Sequence, residues 1–240
     1  MEVLVPFSTD RPKSRLSDVL SPSERESFAR SMLADVLRAV IDAGGSPHLL
    51  TTADLDVPIE ADTSADSPHP ADSPHPADGP NPADASPSAD VPVTVDARPL
   101  TTAVNAALDR HEPTGAEPVG VVMADLALAT PETLGRLFGA DADVAIAPGR
   151  GGGTNALVVR DPAFRVDYHG ASYLDHLRIA EEIDASVAVV DSHRLATDVD
   201  ERSDLAELLI HGDGEATAWL RDAGVGLDAT NGRVSVDRDR

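Results

Sequence analysis

Residues 119–159, VGVVMADLALATPETLGRLFGADADVAIAPGRGGGTNALVV, hold three short apolar runs, one helix signal and one run of glycines. Val119–Ala124 is continuously apolar. That pattern fits a strand covered on both faces, as in parallel sheets, better than a half-solvated one. Thr130-Pro131-Glu132 opens a helix, with proline at the first helical position, where its missing N–H costs nothing. Asp143–Ala147 and Asn155–Val159 are two further strands. Working outward, the same alternation repeats. Toward the amino terminus lie a strand at Glu2–Phe7, a capping box at Ser21-Pro22-Ser23-Glu24, and a helix. The apolar stripe of that helix is Phe28, Met32, Leu33, Val36, Leu37, Val40 and Ile41, and Gly44 or Gly45 closes it. Strands near His48–Thr52 and Val91–Val95 and a helix near Leu100–Arg110 follow. Toward the carboxyl terminus come a helix at Ser172–Ile183, a strand at Val187–Val190 and a helix at Ser203–His211. Asn231-Gly232, between Val225/Leu227 and Val234/Val236, signals a hairpin. Strands alternating with amphipathic helices predict a layered α/β domain over residues 1–223 with a mostly parallel sheet, and a hairpin or tail at 224–240. Ligands of such sheets bind beyond the carboxyl ends of the strands, so those loops carry the functional reading.

The chain has 240 residues, 42 acidic against 19 basic side chains, a net charge of -23 and no cysteine. Disulfides and thiolate metal sites are thereby excluded. Eighteen of the basic residues are arginine, and Lys13 is the single lysine. A surface so acidic repels itself in dilute buffer and is screened in concentrated salt, which predicts a halophilic protein. Duplex nucleic acid is excluded as a partner, because its binding needs basic patches. No apolar run reaches the roughly 20 residues of a membrane helix, and MEVLVPFSTD lacks the basic start of a signal peptide. A cytoplasmic protein is expected.

Residues 61–92 differ from the rest in kind. Ala-Asp pairs recur every six residues from Ala65 to Ala89, among prolines and without a large apolar side chain. Such a segment buries too little surface to offset its ordering entropy, and a disordered acidic insertion is expected there. Its His69 and His75 are assigned no catalytic role.

Four loops carry residues suited to chemistry. After the first strand, Arg11, Lys13 and Arg15 crowd cations into a cation-poor chain, which suits phosphate: arginine as a planar fork, lysine as a point charge. Asp125, just past Val119–Ala124, is placed to hold a hard divalent cation that bridges phosphate oxygens. Asp198 and Asp200 follow another strand and are candidates for a further metal ligand, with Asp200 also a candidate helix cap. In Gly149-Arg150-Gly151-Gly152-Gly153-Thr154-Asn155 the glycines permit close approach of a ligand. This run is neither GxxxxGK[ST] nor GxGxxG. Finally, Tyr168-His169-Gly170-Ala171-Ser172 leads into a helix with Ser172 as the expected N-cap. The free N–H groups of that first turn suit an anion. Leu174 replaces the second glycine of a nucleophile elbow, so no serine nucleophile is read.

Taken together, P-x(6)-K-x-R-L from Pro6 to Leu16, ADL at 124–126, GGGTNAL at 151–157, G-x-S at 170–172 and D-x-D-x-x-x-D-L at 198–205 resemble one family. It is the 2-phospho-L-lactate guanylyltransferases, with the phosphoenolpyruvate guanylyltransferases as bacterial relatives. Ala127 stands where the family often has proline, and Tyr168-His169-Gly170 departs from its usual Tyr-Gly. The resemblance implies a three-layer α/β/α sandwich with a mixed sheet, like the nucleotide-diphospho-sugar transferases. It also implies a homodimer, Mg²⁺ as cofactor, GTP and 2-phospho-L-lactate (or phosphoenolpyruvate) as substrates, and a place in coenzyme F420 biosynthesis. On this footing Lys13 and Arg15 are catalytic and, with Arg11, bind the nucleotide phosphates. Asp125 matches the principal metal ligand, with Asp198 or Asp200 the candidate second one. Thr154 and Ser172 match positions that hold the phosphorylated acid, with Asn155 and either Gly170 or His169, in the place of the family's glycine, beside them. Other nucleotidyltransfer, with a cytidylyl donor or a sugar phosphate, and a non-catalytic acidic module are the rival readings.

Overall fold

The computed structural model describes residues 1–10, 12–55, 91–230, 232 and 234–238. Arg11 and nearly all of the proposed insertion lie outside these residues. Among the described residues, seven strands form one sheet: β1 (Glu2–Phe7), β2 (Ser46–Thr51), β3 (Val93–Val95), β4 (Val119–Val122), β5 (Val144–Pro148), β6 (Thr154–Val159) and β7 (Val187–Val189). Their order is β3-β2-β1-β4-β6-β5-β7. β6 runs antiparallel to both of its neighbours, β4 and β5. The remaining pairs are parallel, so the sheet is mixed and mostly parallel.

Helices cover both faces. Alternation along β1 sends Val3 and Val5 to one side and Leu4 to the other. The first side packs on α1 (Pro22–Asp42) and α3 (Pro131–Phe138) through Leu33, Val36, Leu37, Leu134 and Leu137, with Leu195 of the short α5 (His193–Ala196). The second packs on α2 (Leu100–His111) and α4 (Ser172–Glu182) through Val104, Leu108 and Ala180, with Phe164 from a loop. These are the three expected layers.

A third cluster lies beside them. Leu16, Leu20 and Phe28 meet Leu205 and Leu208 of α6 (Arg202–His211) and Leu220 of α7 (Glu215–Asp222). Val225 and Val236 complete it from β8 (Val225–Asp228) and β9 (Ser235–Arg238), which pair as the antiparallel hairpin read from the sequence. Arg238 fastens this hairpin, donating to the carbonyls of Val19 and Ala223 and pairing with Glu24. Its guanidinium, with the Ser21 cap, holds the Glu24 carboxyl down at about 2.

Several boundaries differ from expectation. β4 ends at Val122, although Met123 still donates its N–H to Asn155 O. Ala171, not Ser172, caps α4, and Ser172 is its first helical residue. Glu201, not Asp200, caps α6 in a reciprocal box with Asp204. The short α5 and α7 were not anticipated.

Candidate active site

Three loops converge at the carboxyl ends of β1 and β4. Beyond β1 the chain reaches Lys13, which takes a left-handed backbone conformation (φ +54°) and begins a 3₁₀ turn at Ser14–Leu16. Long side chains seldom adopt this region without surrounding support. The support is visible: Leu16 is fully buried, and its N–H returns to Lys13 O at 2.9 Å. The turn aims the ammonium between two carboxylates, 2.7 Å from Asp125 Oδ2 and 2.7 Å from Asp200 Oδ1. Burial alone would lower the Lys13 pKa, but the attraction of Asp125 and Asp200 outweighs it and the pKa is raised. Arg15 is the outer cation, 3.5 Å from Asp200 Oδ2 and well exposed.

The acidic side is fixed by core anchoring of the chain between α5 and α6. Val199 is buried between Asp198 and Asp200, and its N–H donates to Asp125 O at 3.2 Å. Asn155 Nδ2 donates to Leu195 O at 2.9 Å and to Asp198 Oδ1 at 3.2 Å. Asp204, in the third acidic position of the motif, accepts the N–H groups of Asp200 (3.0 Å) and Glu201 (2.7 Å) and is paired with Arg150 of the glycine turn. Sequence reasoning gave neither Arg150 nor Asp204 a role.

The fit of Mg²⁺ follows from the donor set. Asp125, Asp198 and Asp200 supply hard carboxylate oxygens, the kind that hold Mg²⁺. Asp125 Oδ1 is buried without a hydrogen-bond partner among the described residues. An orphaned buried oxygen of this kind is costly unless a donor or a cation completes it.

The glycine turn separates this centre from the second group of expected residues. A register shift between Ala147 and Pro148 marks a bulge at the start of β6. Bulges re-aim side chains: here Asn155 faces α5 while Thr154 faces α4, where His176 Nδ1 lies 2.8 Å from its hydroxyl. Gly149 is required by close approach, because a Cβ there would sit 2.5 Å from Asn155 Oδ1. Gly152 takes φ +83° and accepts the Tyr173 N–H of α4 at 3.1 Å. A Cβ on Gly153 would lie 4.0 Å from Ser172 Oγ. Thr154 and Ser172 thus border the same turn, whereas Gly170 is exposed with nothing within 4 Å of a Cβ there. Asn155 departs from the expected acid-binding group and belongs with Asp198.

A cavity of about 210 Å³ opens beside Lys13 and Asp125, lined also by Phe7, Ser8, Pro12 and Met123. A second, of about 380 Å³, shares Phe7, Ser8 and Met123 and reaches Thr52, Asp96, Arg98 and Leu100. The two form a trough across the ends of β1 to β4, with the nearly buried Lys13 ammonium and a carboxylate cluster at one end. Such a place can hold a polyanion along its length and align an anionic nucleophile against it.

The family model "Guanylyl transferase CofC like" matches residues 1–57 and 84–238. The chain is 58% identical over 247 residues to the 2-phospho-L-lactate guanylyltransferase of Halorubrum lacusprofundi, with all of both chains covered. To that of Methanoregula boonei it is 43% identical, covering 98% of this chain and 94% of the relative. Among solved structures, a Desulfovibrio desulfuricans protein assigned to the nucleotide-diphospho-sugar transferases superposes with a TM-score of 0.63 at 16% identity, covering 92% of this chain and 94% of the other. A Methanothermobacter nucleotidyl transferase gives a TM-score of 0.53 at 15% identity, covering 92% and 98%. At those identities the solved structures show a shared fold. Full-length identity and the family match, on a fold with its cation–carboxylate centre at the strand ends, place the chain in the CofC-like guanylyl transferase family.

Proposed function

We propose that the chain condenses GTP with 2-phospho-L-lactate, giving lactyl-2-diphospho-5'-guanosine and pyrophosphate, a step of coenzyme F420 biosynthesis in the cytoplasm. A phosphate oxygen of the acid attacks the α-phosphorus of GTP, and the bond to the β-phosphate oxygen breaks. The observation that carries this reading is Lys13, held between Asp125 and Asp200 at the mouth of the trough. The nucleophile is already an anion, so no general base is needed. Catalysis is alignment and relief of repulsion between two polyanions. Lys13 and Arg15 face the triphosphate and hold its charge as pyrophosphate leaves. Thr154 and Ser172 hold the phosphorylated acid. Asp125, Asp198 and Asp200 would hold Mg²⁺, which when bound neutralises phosphate oxygens. The homodimer implied by the resemblance belongs to the same proposal and is read by sedimentation in molar KCl.

The test is pyrophosphate release in molar KCl with each of the four NTPs against phospholactate, phosphoenolpyruvate and sugar phosphates, with product masses recorded. Turnover with GTP and phospholactate is expected. Turnover confined to CTP, or to sugar phosphates, would overturn the proposal. A preference for phosphoenolpyruvate would reassign the acceptor alone.

A further inference from the structure

We propose that His176 is a positioning residue that fixes the Thr154 hydroxyl as a hydrogen-bond donor toward an anionic oxygen of the phosphorylated acid. The assignment rests on the reading of Thr154 and Ser172 as the acid's subsite. His176 lies on α4 with no exposed surface, its ring 5.9 Å from that of Phe164 and edge-on to Tyr168 at 5.3 Å. Its Nε2 is 2.9 Å from the backbone N of Asp167. A backbone N–H can only donate, so Nε2 presents a lone pair. A neutral imidazole then carries its single proton on Nδ1, which lies 2.8 Å from Thr154 Oγ1 and must donate to it. Neutrality is assured by burial, which pulls the His176 pKa down to about 4 against the opposing pull of Asp167 and Asp175.

The polarity of Thr154 follows. Its oxygen accepts from His176, and its own proton has no acceptor among the described residues, although the residue is only 4% exposed. The hydroxyl of Ser172, across Gly153, likewise has no hydrogen-bond partner among the described residues. A hydroxyl that accepts one bond becomes a stronger donor for the next, and its best acceptor is a charged oxygen. The opposite tautomer would turn lone pairs of Thr154 toward the anion and repel it. A backbone amide of the Asp167 segment thereby sets, through one imidazole, the sign of the acid subsite.

Two substitutions divide the two hydrogen bonds of the imidazole. In His176→Gln the amide oxygen reaches the Nε2 position and keeps the Asp167 bond, but nothing reaches Thr154. In His176→Asn the amide N–H overlays Nδ1 and keeps the Thr154 bond. His176→Gln should raise KM for phospholactate roughly tenfold or more, the scale of a lost bond to a charged group. KM for GTP should stay within about twofold. His176→Asn should stay near wild type in both. In a Thr154→Val background His176→Gln should add no further loss, because both act through one hydroxyl. Competition by inorganic phosphate and by L-lactate then tells which oxygen is held: the inhibitor whose potency falls in Thr154→Val identifies it, and a fall for neither overturns the proposal. Independently of folding in any variant, ¹⁵N spectra of the wild-type enzyme should show His176 protonated on Nδ1 at neutral pH. An Nε2–H tautomer, or an acid KM unchanged in a folded His176→Gln, overturns the assignment alone. A wild-type enzyme inert toward phospholactate overturns the function, and this assignment with it.

Discussion

One ammonium group organises the acidic centre of this molecule, and its replacement has consequences for metal and nucleotide that can be told apart. Lys13 is 2.7 Å from each of two carboxylates that are also the proposed metal ligands. Lys13→Ala should lower turnover about 100-fold or more, the scale of losing one charge-stabilising donor. The same change should lower the Mg²⁺ concentration needed for half-maximal rate, since the ammonium no longer competes for Asp125 and Asp200. Lys13→Arg should not restore the rate, because a planar fork does not fit where a compact ammonium sat. Initial rates against GTP and Mg²⁺ check both statements, and normal turnover in Lys13→Ala places the chemistry elsewhere. A second residue predicts a pH effect. His176 titrates near 4 in the fold, below the ordinary 6.5, because burial disfavours its charge. Unfolding lets it bind a proton, so its contribution is intact above about pH 6.5 and lost as pH falls toward about 4, to an extent of about 3 kcal/mol. Tm measured from about pH 7 down to 4 should fall less steeply in His176→Gln than in wild type; coincident slopes would show the ring is not held neutral. Lys13 and Asp125 were legible as residues because charge beyond a strand end stands out in sequence, whereas Asp198 and Asp200, read as following a strand, follow the short α5. His176 was not legible, because one histidine on an amphipathic helix reads the same whether it packs or positions. Its role depends on a backbone amide that no side-chain pattern reports.

At the scale of elements, periodicity told which segments are strands and helices, but direction and aim came from connections. The continuous runs at β4 and β6 declared burial on both faces. The reversed direction of β6 lay instead in the short Gly149–Gly153 connection from β5, since parallel neighbours need a long crossover. The four-residue α5 has too few residues for any period to show. That glycine turn also divides Asn155 from Thr154, and it gives a paired test. In Gly149→Ala the new Cβ meets Asn155 Oδ1 at 2.5 Å, which must displace the side chain that binds Leu195 O and Asp198. A stability loss of about 1–3 kcal/mol, as for overpacking, should accompany a fall in turnover. In Gly135→Ala, within α3, nothing lies within 4 Å of the new Cβ. That variant should gain about 0.5–1 kcal/mol from helix propensity and keep full activity. Thermal unfolding and initial rates of the two decide the matter. Equal behaviour would mean that the tight turn does not hold Asn155 in place.

For the whole molecule, the family match omits residues 58–83, which overlap the Ala-Asp repeat. No residue of the proposed site lies between Asp62 and Asp90, and closure entropy changes only slowly with the length of the connecting chain. Replacing Asp62–Asp90 by a short Gly/Ser linker should therefore leave turnover within a few fold; a folded but inactive deletion would give the segment a function. Charge governs the last expectation. With a net charge of -23 the folded chain repels itself, and unfolding relieves that repulsion by separating the charges. The screening length shrinks from about 10 Å at 0.1 M salt to about 3 Å at 1 M. Tm should thus rise by about 5 °C or more between those concentrations of KCl, which for a chain of this size corresponds to roughly 1–3 kcal/mol. A screening origin predicts that most of the rise is complete by about 1 M KCl, whereas sulfate should go on stabilising through its exclusion from apolar surface. The proposed active centre should be spared by the same salt. Lys13 keeps only 9% of its side chain exposed, against 68% for Arg15, and buried pairs are screened least. In molar KCl the defect of Arg15→Ala should accordingly shrink while that of Lys13→Ala persists. Equal attenuation of the two would show that the ammonium is as open to solvent as the guanidinium, and that the acidic surface and the charge of the proposed site are not separated as the fold separates them.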